Sequence, residues 1–395
     1  MKPEDVRENS RAARRMLDIQ PFQVMELLAR ARELEAQWRS IIHMEIGEPD
    51  FPTPQPVIAA GIRALQQGNI HYTPALGLPQ LREAIAALYL ERYGLSISPA
   101  RIIVTPGASG ALLLALGILI NPGEKVLMSD PGYPCNRHFV RLIESLPIGI
   151  GTDAATGYQL TSELIAKHWD AKTAAVMIAS PANPTGTLVD SASLRTIVEK
   201  VRALGGKLIA DEIYHGLVYQ GEAATALSVS DEVFVINSFS KYFGMTGWRL
   251  GWLVAPETYV RDADKLAQNI FLAASTPAQF AALAAFLPET IAILEQRRAE
   301  FQRRRDYLLP ALRNLGFDVP INPQGAFYLY ADCSSFTKNS EIFVREVLEH
   351  AGVAITPGVD FGNYEAKRHV RFAYTTSLEN LKEGVRRLQA FHHKS

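Results

Sequence analysis

Between residues 55 and 255 the chain alternates short apolar runs with longer stretches in which apolar residues recur every three or four positions. A short apolar run bounded by turn residues is typical of a buried strand, whereas a longer stretch such as Ser191–Leu204 has the length and spacing of a helix. Six strands are predicted in this way: Arg101–Thr105, Lys125–Ser129, Ala174–Ala179, Lys207–Ala210, Val233–Asn237 and Gly251–Val254. Strands alternating with helices predict an α/β fold with a mostly parallel, doubly wound sheet.

The two ends of the chain have different patterns. Residues 1–45 are charged, and helical spacing is shown by Phe22, Met25, Leu28 and Ala29. The C-terminal part is predicted to contain a charged helix, a strand, a second helix and two more strands, over Leu294–Leu309, Phe327–Ala331, Glu341–His350, Val353–Thr356 and Val370–Tyr374. We therefore divide the chain into an N-terminal arm (1–45), a large domain (46–290) and a smaller α+β domain (291–395).

Composition narrows the range of partners. Among 395 residues, 40 basic side chains nearly balance 41 acidic ones, so a nucleic acid or an anionic membrane surface is not expected as a partner. The longest apolar run, Ala111–Ile120, is about half of a bilayer span. The two cysteines, Cys135 and Cys333, are too few for a disulfide framework, and the nine histidines show no metal-ligand spacing. We expect a cytoplasmic protein that needs no metal.

The turns that follow the strands are where a ligand is expected, because doubly wound sheets bind ligands beyond the carboxyl ends of their strands. The first such turn, Pro106–Gly110, contains Ala108 and Ser109 and leads into an apolar helix. Free N–H groups at a helix N-terminus favour a phosphate. A tight strand–helix turn that needs glycine for steric reasons explains this segment equally well.

A second turn combines hydroxyl groups with two basic side chains. Ser238 and Ser240 precede Lys241, and Arg249 follows eight residues later. Serine and arginine suit a phosphate, and a lysine held among them suits an amine nucleophile. A lone lysine in a loop is usually solvated, but these neighbours weigh against that interpretation.

A third turn places carboxylates at the end of an apolar strand. Asp211, Glu212 and Tyr214 follow Leu208–Ala210. A carboxylate in such a place is costly unless it has a cationic partner, and a pyridinium nitrogen is one such partner. An ion pair with a nearby Arg or Lys is the alternative, which suits Glu212 better than Asp211.

These segments carry a family resemblance. The run from Ser238 to Gly251, SFSKYFGMTGWRLG, resembles the cofactor-lysine signature of class I/II aminotransferases, pyridoxal-phosphate enzymes of fold type I in the aspartate aminotransferase superfamily. Three more motifs match in the family's order: Pro181–Gly186, Asp211–Tyr214, and Arg371 within VRFA. The resemblance covers nearly the whole chain, and it implies a seven-stranded large-domain sheet beside a smaller α+β domain.

The resemblance also implies a role for each matching residue. Lys241 carries pyridoxal phosphate as a Schiff base, Asp211 pairs with the pyridine nitrogen, and Tyr214 and Asn183 bind the phenolic oxygen. Tyr133 stacks on the ring, and the phosphate is held by Ala108, Ser109, Ser238, Ser240 and Arg249. The substrate carboxylate is bound by Arg371, Asn183 and Gly47. Tyr72 reaches the cofactor of a neighbouring subunit, which implies a homodimer whose interface includes part of the N-terminal arm.

Two other protein classes fit less well. Gly107–Ala111 nearly forms the G-x-S-x-G elbow of hydrolases, but its last position is alanine and no suggestive Asp/His pair follows. A regulatory module of the same family would need a DNA-binding domain, for which the segment before Gly47 is too short.

Within the cofactor class, C–S β-lyases and related elimination enzymes share much of this motif set, and transamination is the main expectation. No second arginine is assigned to a distal carboxylate. Neutral or hydrophobic amino acids are therefore favoured, because apolar and aromatic residues are expected near the site: Phe22, Ile46, Phe271 and Tyr328.

Overall fold

The computed structural model describes residues 12–392, so residues 1–11 of the predicted N-terminal arm and residues 393–395 lie outside the described part. The strands are β1 Ile42–His43, β2 Ile102–Thr105, β3 Lys125–Asp130, β4 Leu146–Gly151, β5 Thr173–Ala179, β6 Lys207–Asp211, β7 Phe234–Ser238, β8 Gly251–Val254, β9 Tyr328–Asp332, β10 Val353–Ala354, β11 Thr356–Pro357 and β12 His369–Ala373. The α-helices are α1 Gln23–Ala36, α2 Gln55–Gln66, α3 Pro79–Tyr93, α4 Gly107–Leu119, α5 Pro134–Leu142, α6 Ser162–His168, α7 Ser191–Ala203, α8 Val260–Ile270, α9 Thr276–Leu283, α10 Pro288–Leu315, α11 Ser340–Glu346 and α12 Leu378–His392.

Seven strands form the main sheet in the order β2-β8-β7-β6-β5-β3-β4. The neighbours from β7 to β4 are all parallel, and only β8 runs antiparallel to the strands on its two sides. The predicted mostly parallel, doubly wound sheet is confirmed, and each of the six predicted strands lies within one residue of its observed bounds.

The strands of this sheet are buried on both faces. Ile103 and Ile236 pack into one apolar cluster, whereas Val104 and Val235, their chain neighbours, pack into the other. Side chains alternate between the faces of a strand, so a sheet with helices on both faces needs nearly continuous apolar strands. This is why short apolar runs identified the strands without any alternation of polar residues.

The strand that the sequence pattern missed is β4, at the edge of the sheet. Its sequence, LPIGIG, contains a proline and two glycines, and Ile150 is its only buried residue. Proline and glycine are tolerated at an edge because one side of the strand makes no ladder hydrogen bonds. A half-exposed edge strand therefore lacks the apolar run that identified the others.

The smaller part of the molecule combines both ends of the chain. Strands β11, β12 and β9 form an antiparallel sheet, and β1 from the arm pairs in parallel with β10. The predicted single strand Val353–Thr356 is in fact two short strands, because the chain leaves its pairing with β1 and joins β12 one residue later. The proposed domain boundaries at 45/46 and 290/291 stay predictions.

Helix α1 confirms the helical pattern predicted for the N-terminal arm, but most of the residues that showed the spacing are not on its buried face. Met25 is 52% exposed and Ala29 is also exposed. The face that packs against the C-terminal part consists of Val24, Leu27, Leu28, Ala31 and Leu34. Of the four residues whose spacing indicated the helix, only Leu28 belongs to this face.

Among residues 12–392, no single helix combines the length and the apolar composition needed to cross a membrane. The segments Thr276–Phe286 and Pro288–Leu315 meet that test only when they are taken together, and an 81° bend separates them.

Candidate active site

Three adjacent parallel strands bring the predicted polar residues to one edge of the main sheet. Asn183 lies in the turn after β5, Asp211 is the last residue of β6, and Lys241 comes three residues after the end of β7. The carboxyl ends of neighbouring parallel strands meet at the same edge, so these residues converge although they are about 30 residues apart in the chain.

The Lys241 amine lies inside the protein. Its Nζ donates a hydrogen bond to the Gly47 carbonyl oxygen at 2.8 Å and lies 6.0 Å from the centre of the Tyr214 ring. Burial lowers the pKa of Lys241 to about 8, with Arg371 acting in the same direction and Glu48 opposing it. Removal from water disfavours the charged form of a lysine. A larger share of this amine is therefore neutral near physiological pH than for an ordinary lysine.

Asp211 is a buried carboxylate without a basic partner in the described part of the chain. Its Oδ1 accepts a hydrogen bond from the Ile213 backbone N–H at 3.1 Å. Burial raises the pKa of Asp211 to about 6, and Lys241 opposes the shift only weakly. A positively charged ring nitrogen would supply the missing counter-charge, so Asp211 fits the pyridine end of the cofactor.

Glu212, the next residue, has no ion pair with Arg or Lys in the described chain, and only one of its two buried oxygens has hydrogen-bond partners. Its Oε1 accepts hydrogen bonds from the Ala226 N–H at 2.7 Å and from the Thr225 hydroxyl at 3.2 Å. Burial raises the pKa of Glu212 to about 8 and lowers that of neighbouring His215 to about 3. The ion-pair expectation was wrong because backbone and hydroxyl donors occupy this carboxyl instead.

The N-terminus of α4 packs closely against Arg249 and β8, and two glycines leave room for this contact. A Cβ atom on Gly107 would lie 2.6 Å from an Arg249 guanidinium nitrogen, and one on Gly251 would lie 2.7 Å from the Ala108 backbone nitrogen. Ala108 and Ser109 form the first turn of α4. Free helix N–H groups beside a guanidinium make a setting that suits a phosphate.

Two buried serines, one at the end of β7 and one two residues later, are further candidates for phosphate binding. The Ser240 backbone N–H donates to the Ser238 hydroxyl oxygen at 3.0 Å, and Ser238 lies at the end of β7. The Ser238 hydroxyl donates only a long hydrogen bond, 3.4 Å, to the Leu250 carbonyl. Both serines are buried and come within three residues of Lys241 in the chain, so their hydroxyls are candidates for the phosphate end of the cofactor.

Arg371 is held between two aromatic rings. Its guanidinium carbon lies 4.4 Å from the centre of the Tyr328 ring and 4.7 Å from that of Phe361. It donates to Asn183 Oδ1 at 3.0 Å, while its buried Nε has no partner. Within the described residues no carboxylate pairs with it. A buried guanidinium without an anion suits the carboxylate of a ligand.

The Gly47 position explains how Tyr328 reaches the site. A Cβ atom on Gly47 would lie 1.9 Å from the Tyr328 hydroxyl, so only glycine permits this approach. The Tyr328 hydroxyl is also 2.9 Å from that of Tyr214. Gly47, Tyr328 and Tyr214 therefore pack as one unit around the Lys241 amine.

The predicted ring-stacking residue, Tyr133, borders a cavity of about 540 Å³. The cavity wall also contains Asn183 and Phe361, which contact or flank Arg371. The Phe22 ring meets that of Tyr133 edge-on, with 6.4 Å between the ring centres. Tyr133 thus lies beside the Arg371 end of the site.

Tyr72 is the one predicted site residue that the chain does not bring to its own site. Its side chain is 83% exposed. The loop that carries it is tied to the start of α9 by a hydrogen bond of 2.7 Å from the Thr276 hydroxyl to the His71 carbonyl. An exposed tyrosine on an anchored loop is available to a second molecule.

Comparisons with known proteins agree with this geometry. Residues 39–388 match the family described as aminotransferase class I and II. The chain belongs to this family. The aminotransferase is 38% identical to a valine–pyruvate aminotransferase of Mycobacterium tuberculosis, over 94% of this chain and 96% of that protein. It is 37% identical to a (5-formylfuran-3-yl)methyl phosphate transaminase of Methanocaldococcus jannaschii, over 97% of this chain and 100% of that protein.

Solved structures show the same relationship. An aminotransferase from Mycobacterium tuberculosis superposes with a TM-score of 0.95 at 38% identity, covering 98% of this chain and 100% of that one. An aspartate aminotransferase from Thermus thermophilus with maleate gives 0.91 at 33% identity, covering 96% and 99%. The expected fold type, cofactor and reaction class are confirmed: the aminotransferase uses pyridoxal phosphate and moves an amino group between an amino acid and a 2-oxo acid.

Several contacts of the site could not be read from the motifs. Arg371 also contacts the Phe361 ring, the Thr356 hydroxyl and the Glu45 carbonyl oxygen. The sequence analysis assigned none of these three residues to the site. Tyr328 was expected near the substrate side chain, but its contact with Tyr214 was not anticipated. A backbone carbonyl and a ring face leave no residue-type signal, so only the folded chain reveals them.

Proposed function

We propose that Lys241 holds the cofactor and moves the proton of the reaction. When bound, pyridoxal phosphate supplies an electron-withdrawing ring that stabilises the charge left on Cα after the proton is removed. The observation that carries this proposal is a buried amine with a pKa of about 8, hydrogen-bonded to Gly47 and surrounded by Tyr214 and Asp211. An amine with such a pKa can both accept and return a proton at neutral pH.

Asp211 and Tyr214 act on the two ends of the ring in this proposal. Asp211 stays anionic beside the ring nitrogen, where its charge keeps that nitrogen protonated. Tyr214 and Asn183 donate hydrogen bonds to the phenolic oxygen, and Tyr133 covers one ring face. The burial of Asp211 without a basic partner supports the first role, and the burial of Tyr214 and Asn183 supports the second.

The phosphate anchor consists of the first turn of α4 and three side chains. Ala108 and Ser109 offer backbone N–H groups and a hydroxyl, and Arg249 offers a guanidinium that is packed against Gly107. The hydroxyls of Ser238 and Ser240 complete the set. Donors fixed before the ligand arrives bind a phosphate with little loss of side-chain entropy.

Arg371 and Asn183 bind the substrate α-carboxylate, with Gly47 beside them. The rings of Tyr328 and Phe361 fix the plane of the guanidinium, so its donors point in one direction. A carboxylate fixed in this way determines which bond at Cα stands perpendicular to the cofactor ring. This positioning contributes to the rate of proton removal through orientation.

The favoured amino donor is a neutral or hydrophobic amino acid. Phe22 packs against Tyr133, Phe271 lies near Gly110 at the start of α4, and Tyr328 lies over Arg371. An apolar side chain gains free energy when these aromatic surfaces remove it from water.

A donor panel tests this function. The purified enzyme with its cofactor is incubated with neutral, aromatic, acidic and basic L-amino acids, using pyruvate and 2-oxoglutarate as acceptors. We expect stoichiometric formation of the donor's 2-oxo acid and the acceptor's amino acid, fastest with neutral or hydrophobic donors. Release of ammonia and pyruvate from a thioether amino acid, without amino transfer, would instead identify a β-lyase.

We also propose a homodimer in which Tyr72 reaches the phosphate in the partner's site. Large apolar side chains are exposed around the loop that carries Tyr72, on α2 and near the end of α8: Ile62, Leu65, Ile70, Ile270 and Leu272. Several exposed large apolar side chains in this part of the molecule are what a protein interface would cover. A cytoplasmic location is proposed as well, because both cysteines are free.

A further inference from the structure

One short segment of the chain binds both cationic groups of the site through its backbone. The Lys241 amine donates to the Gly47 carbonyl oxygen at 2.8 Å. The Arg371 guanidinium donates to the carbonyl oxygen of Glu45, two residues earlier. The Thr356 hydroxyl donates to the same Glu45 oxygen at 2.9 Å. The position of the Glu45 backbone therefore helps to determine where the guanidinium donors of Arg371 point.

The path of this segment depends on side chains as well as on strand pairing. Strand β1 is only two residues long, Ile42–His43, and Met44 adds one backbone hydrogen bond on each side, to β10 and to β12. Beyond Met44, side chains bind the segment. Besides the bond to the Glu45 carbonyl, the Thr375 hydroxyl donates to the Ile46 carbonyl oxygen at 2.8 Å.

The Glu45 side chain is the buried end of a pair with His43. Side chains two residues apart lie on the same face of an extended chain, and His43 Nδ1 is 2.7 Å from Glu45 Oε1. Glu45 is completely buried, and its Oε2 has no partner among the described residues. Within residues 12–392, His43 is thus the only hydrogen-bond partner of this carboxyl group. Breaking such a pair is costly, because it leaves a buried polar group unsatisfied.

His43 connects this buried carboxyl group with the protein surface. Its side chain is 28% exposed, and Nε2 is 3.1 Å from Oε1 of Glu35, an exposed residue of α1. The hydrogen bond to Glu45 raises the pKa of His43 to about 9, against the opposing effect of burial. A protonated ring donates from both nitrogens and balances the charge of Glu45. The Glu45 carboxylate is therefore neutralised by His43 and not by the substrate arginine.

We propose that His43 and Glu45 form a positioning pair for Arg371. By holding the Glu45 side chain, His43 fixes the backbone carbonyl that orients the guanidinium, and the pair thereby sets the affinity for the substrate α-carboxylate. Neither side chain lies in the wall of the cavity beside Tyr133, so the pair acts only through Arg371. This assignment rests on the proposed role of Arg371.

Two substitutions at His43 separate the contributions of its two ring nitrogens. The side-chain NH₂ group of asparagine lies close to the place of Nδ1, and that of glutamine lies close to the place of Nε2. His43→Asn can therefore keep the bond to Glu45, whereas His43→Gln cannot. The control is His168→Gln, at an exposed histidine of α6 that bonds a carbonyl of its own helix. Each enzyme, with its cofactor, is titrated by calorimetry with 4-methylpentanoate, an unreactive carboxylate.

We expect the dissociation constant of 4-methylpentanoate to rise at least about fivefold in His43→Gln, and to stay within about twofold of the parent value in His43→Asn and in the control. The absorbance of the bound cofactor should be the same in all four proteins, because the pair acts on Arg371. Parent-like binding in His43→Gln would overturn the assignment. An equally large loss in His43→Asn would also overturn it, since the Nδ1 bond would then not matter.

A double-mutant cycle with Arg371 tests the route of the effect. His43→Gln should raise the KM for amino donor and acceptor at least about fivefold, with kcat within about twofold. In the Arg371→Ala background the same substitution should change kcat/KM by less than about twofold, because residues of one hydrogen-bond network do not act additively. Additive losses would overturn the role of the pair. Parent-like KM values in Arg371→Ala alone would instead overturn the proposed carboxylate site.

Discussion

Burial sets the chemistry of individual residues in this site. The Lys241 amine and the Asp211 carboxyl are both removed from water, which lowers one pKa and raises the other. Each shift disfavours the charged form, and each is explained by the lack of a close, strong counter-charge in the protein. The cofactor is the group that would supply an electrophile to the first residue and a cationic nitrogen to the second.

Cofactor uptake should therefore follow the titration of Lys241. The neutral amine is the nucleophilic form, and the pKa of this amine is lowered to about 8. The rate at which cofactor-free protein captures pyridoxal phosphate should rise with pH with a midpoint near 8, followed by stopped-flow absorbance. Lys241→Arg should show no such phase. A rate that keeps rising towards the ordinary lysine pKa of about 10.4 would contradict the effect of burial.

The arginine of the substrate site offers a second test at this scale. Arg371→Ala removes the only guanidinium among residues 12–392 that hydrogen-bonds Asn183. The KM for every amino acid and 2-oxo acid should rise about 10²-fold or more, in line with the ~2–5 kcal/mol cost of truncating one partner of a buried charge pair. The absorbance of the bound cofactor should stay as in the parent enzyme. An unaltered KM for any substrate would count against the assignment.

At the scale of elements, the site depends on how closely β8 approaches the start of α4. A Cβ atom on Gly251 would lie 2.7 Å from the Ala108 nitrogen, so the two elements touch through backbone atoms. Nearby Gly247, in the turn before Arg249, has nothing within 4 Å of such an atom. The two glycines therefore provide a matched pair of substitutions.

Gly251→Ala should weaken pyridoxal phosphate binding by about tenfold or more, because overpacking at this contact costs ~1–3 kcal/mol and displaces the phosphate anchor. Gly247→Ala should leave the affinity unchanged. Equilibrium titration of the cofactor-free proteins measures both. Equal dissociation constants for Gly251→Ala and the parent protein would show that phosphate binding does not depend on the close contact between β8 and the start of α4.

The same scale shows how far the sequence could predict the fold. Strands such as β5 and β6 are apolar on both faces, so their runs were recognisable to within one residue. Edge strand β4 lacks that signal. The helical spacing at the start of α1 did not indicate which face is buried, because the partners of that face come from the distant C-terminal part. The local sequence pattern indicates that a helix or strand forms, whereas the residues that it buries depend on what packs against it.

For the site, turn motifs identified the residues that the sheet brings together, namely Lys241, Asp211 and Asn183. Tyr328 was expected near the site, but its stacking on Arg371 was not predicted, and Phe361 was not named at all because it carries no motif.

At the scale of the whole molecule, the exposed Tyr72 and its apolar surroundings predict a dimer with shared sites. In a mixture of Tyr72→Ala and Lys241→Ala chains, each mixed dimer should contain one site with both defects and one intact site. At limiting cofactor concentration, the mixture of the two variants should therefore be more active than either variant alone. Sedimentation should give twice the chain mass. A monomer, or a mixture that regains nothing, would contradict the shared site.

The central claim is that one particular amine binds the cofactor, and chemical trapping tests it most directly. Borohydride reduction of the enzyme with its cofactor, followed by proteolysis and peptide mass spectrometry, locates the lysine that bears the pyridoxyl group. We predict a single modified peptide, labelled at Lys241, at one group per chain. Labelling at a different lysine, or no label on a protein that binds the cofactor, would contradict the account.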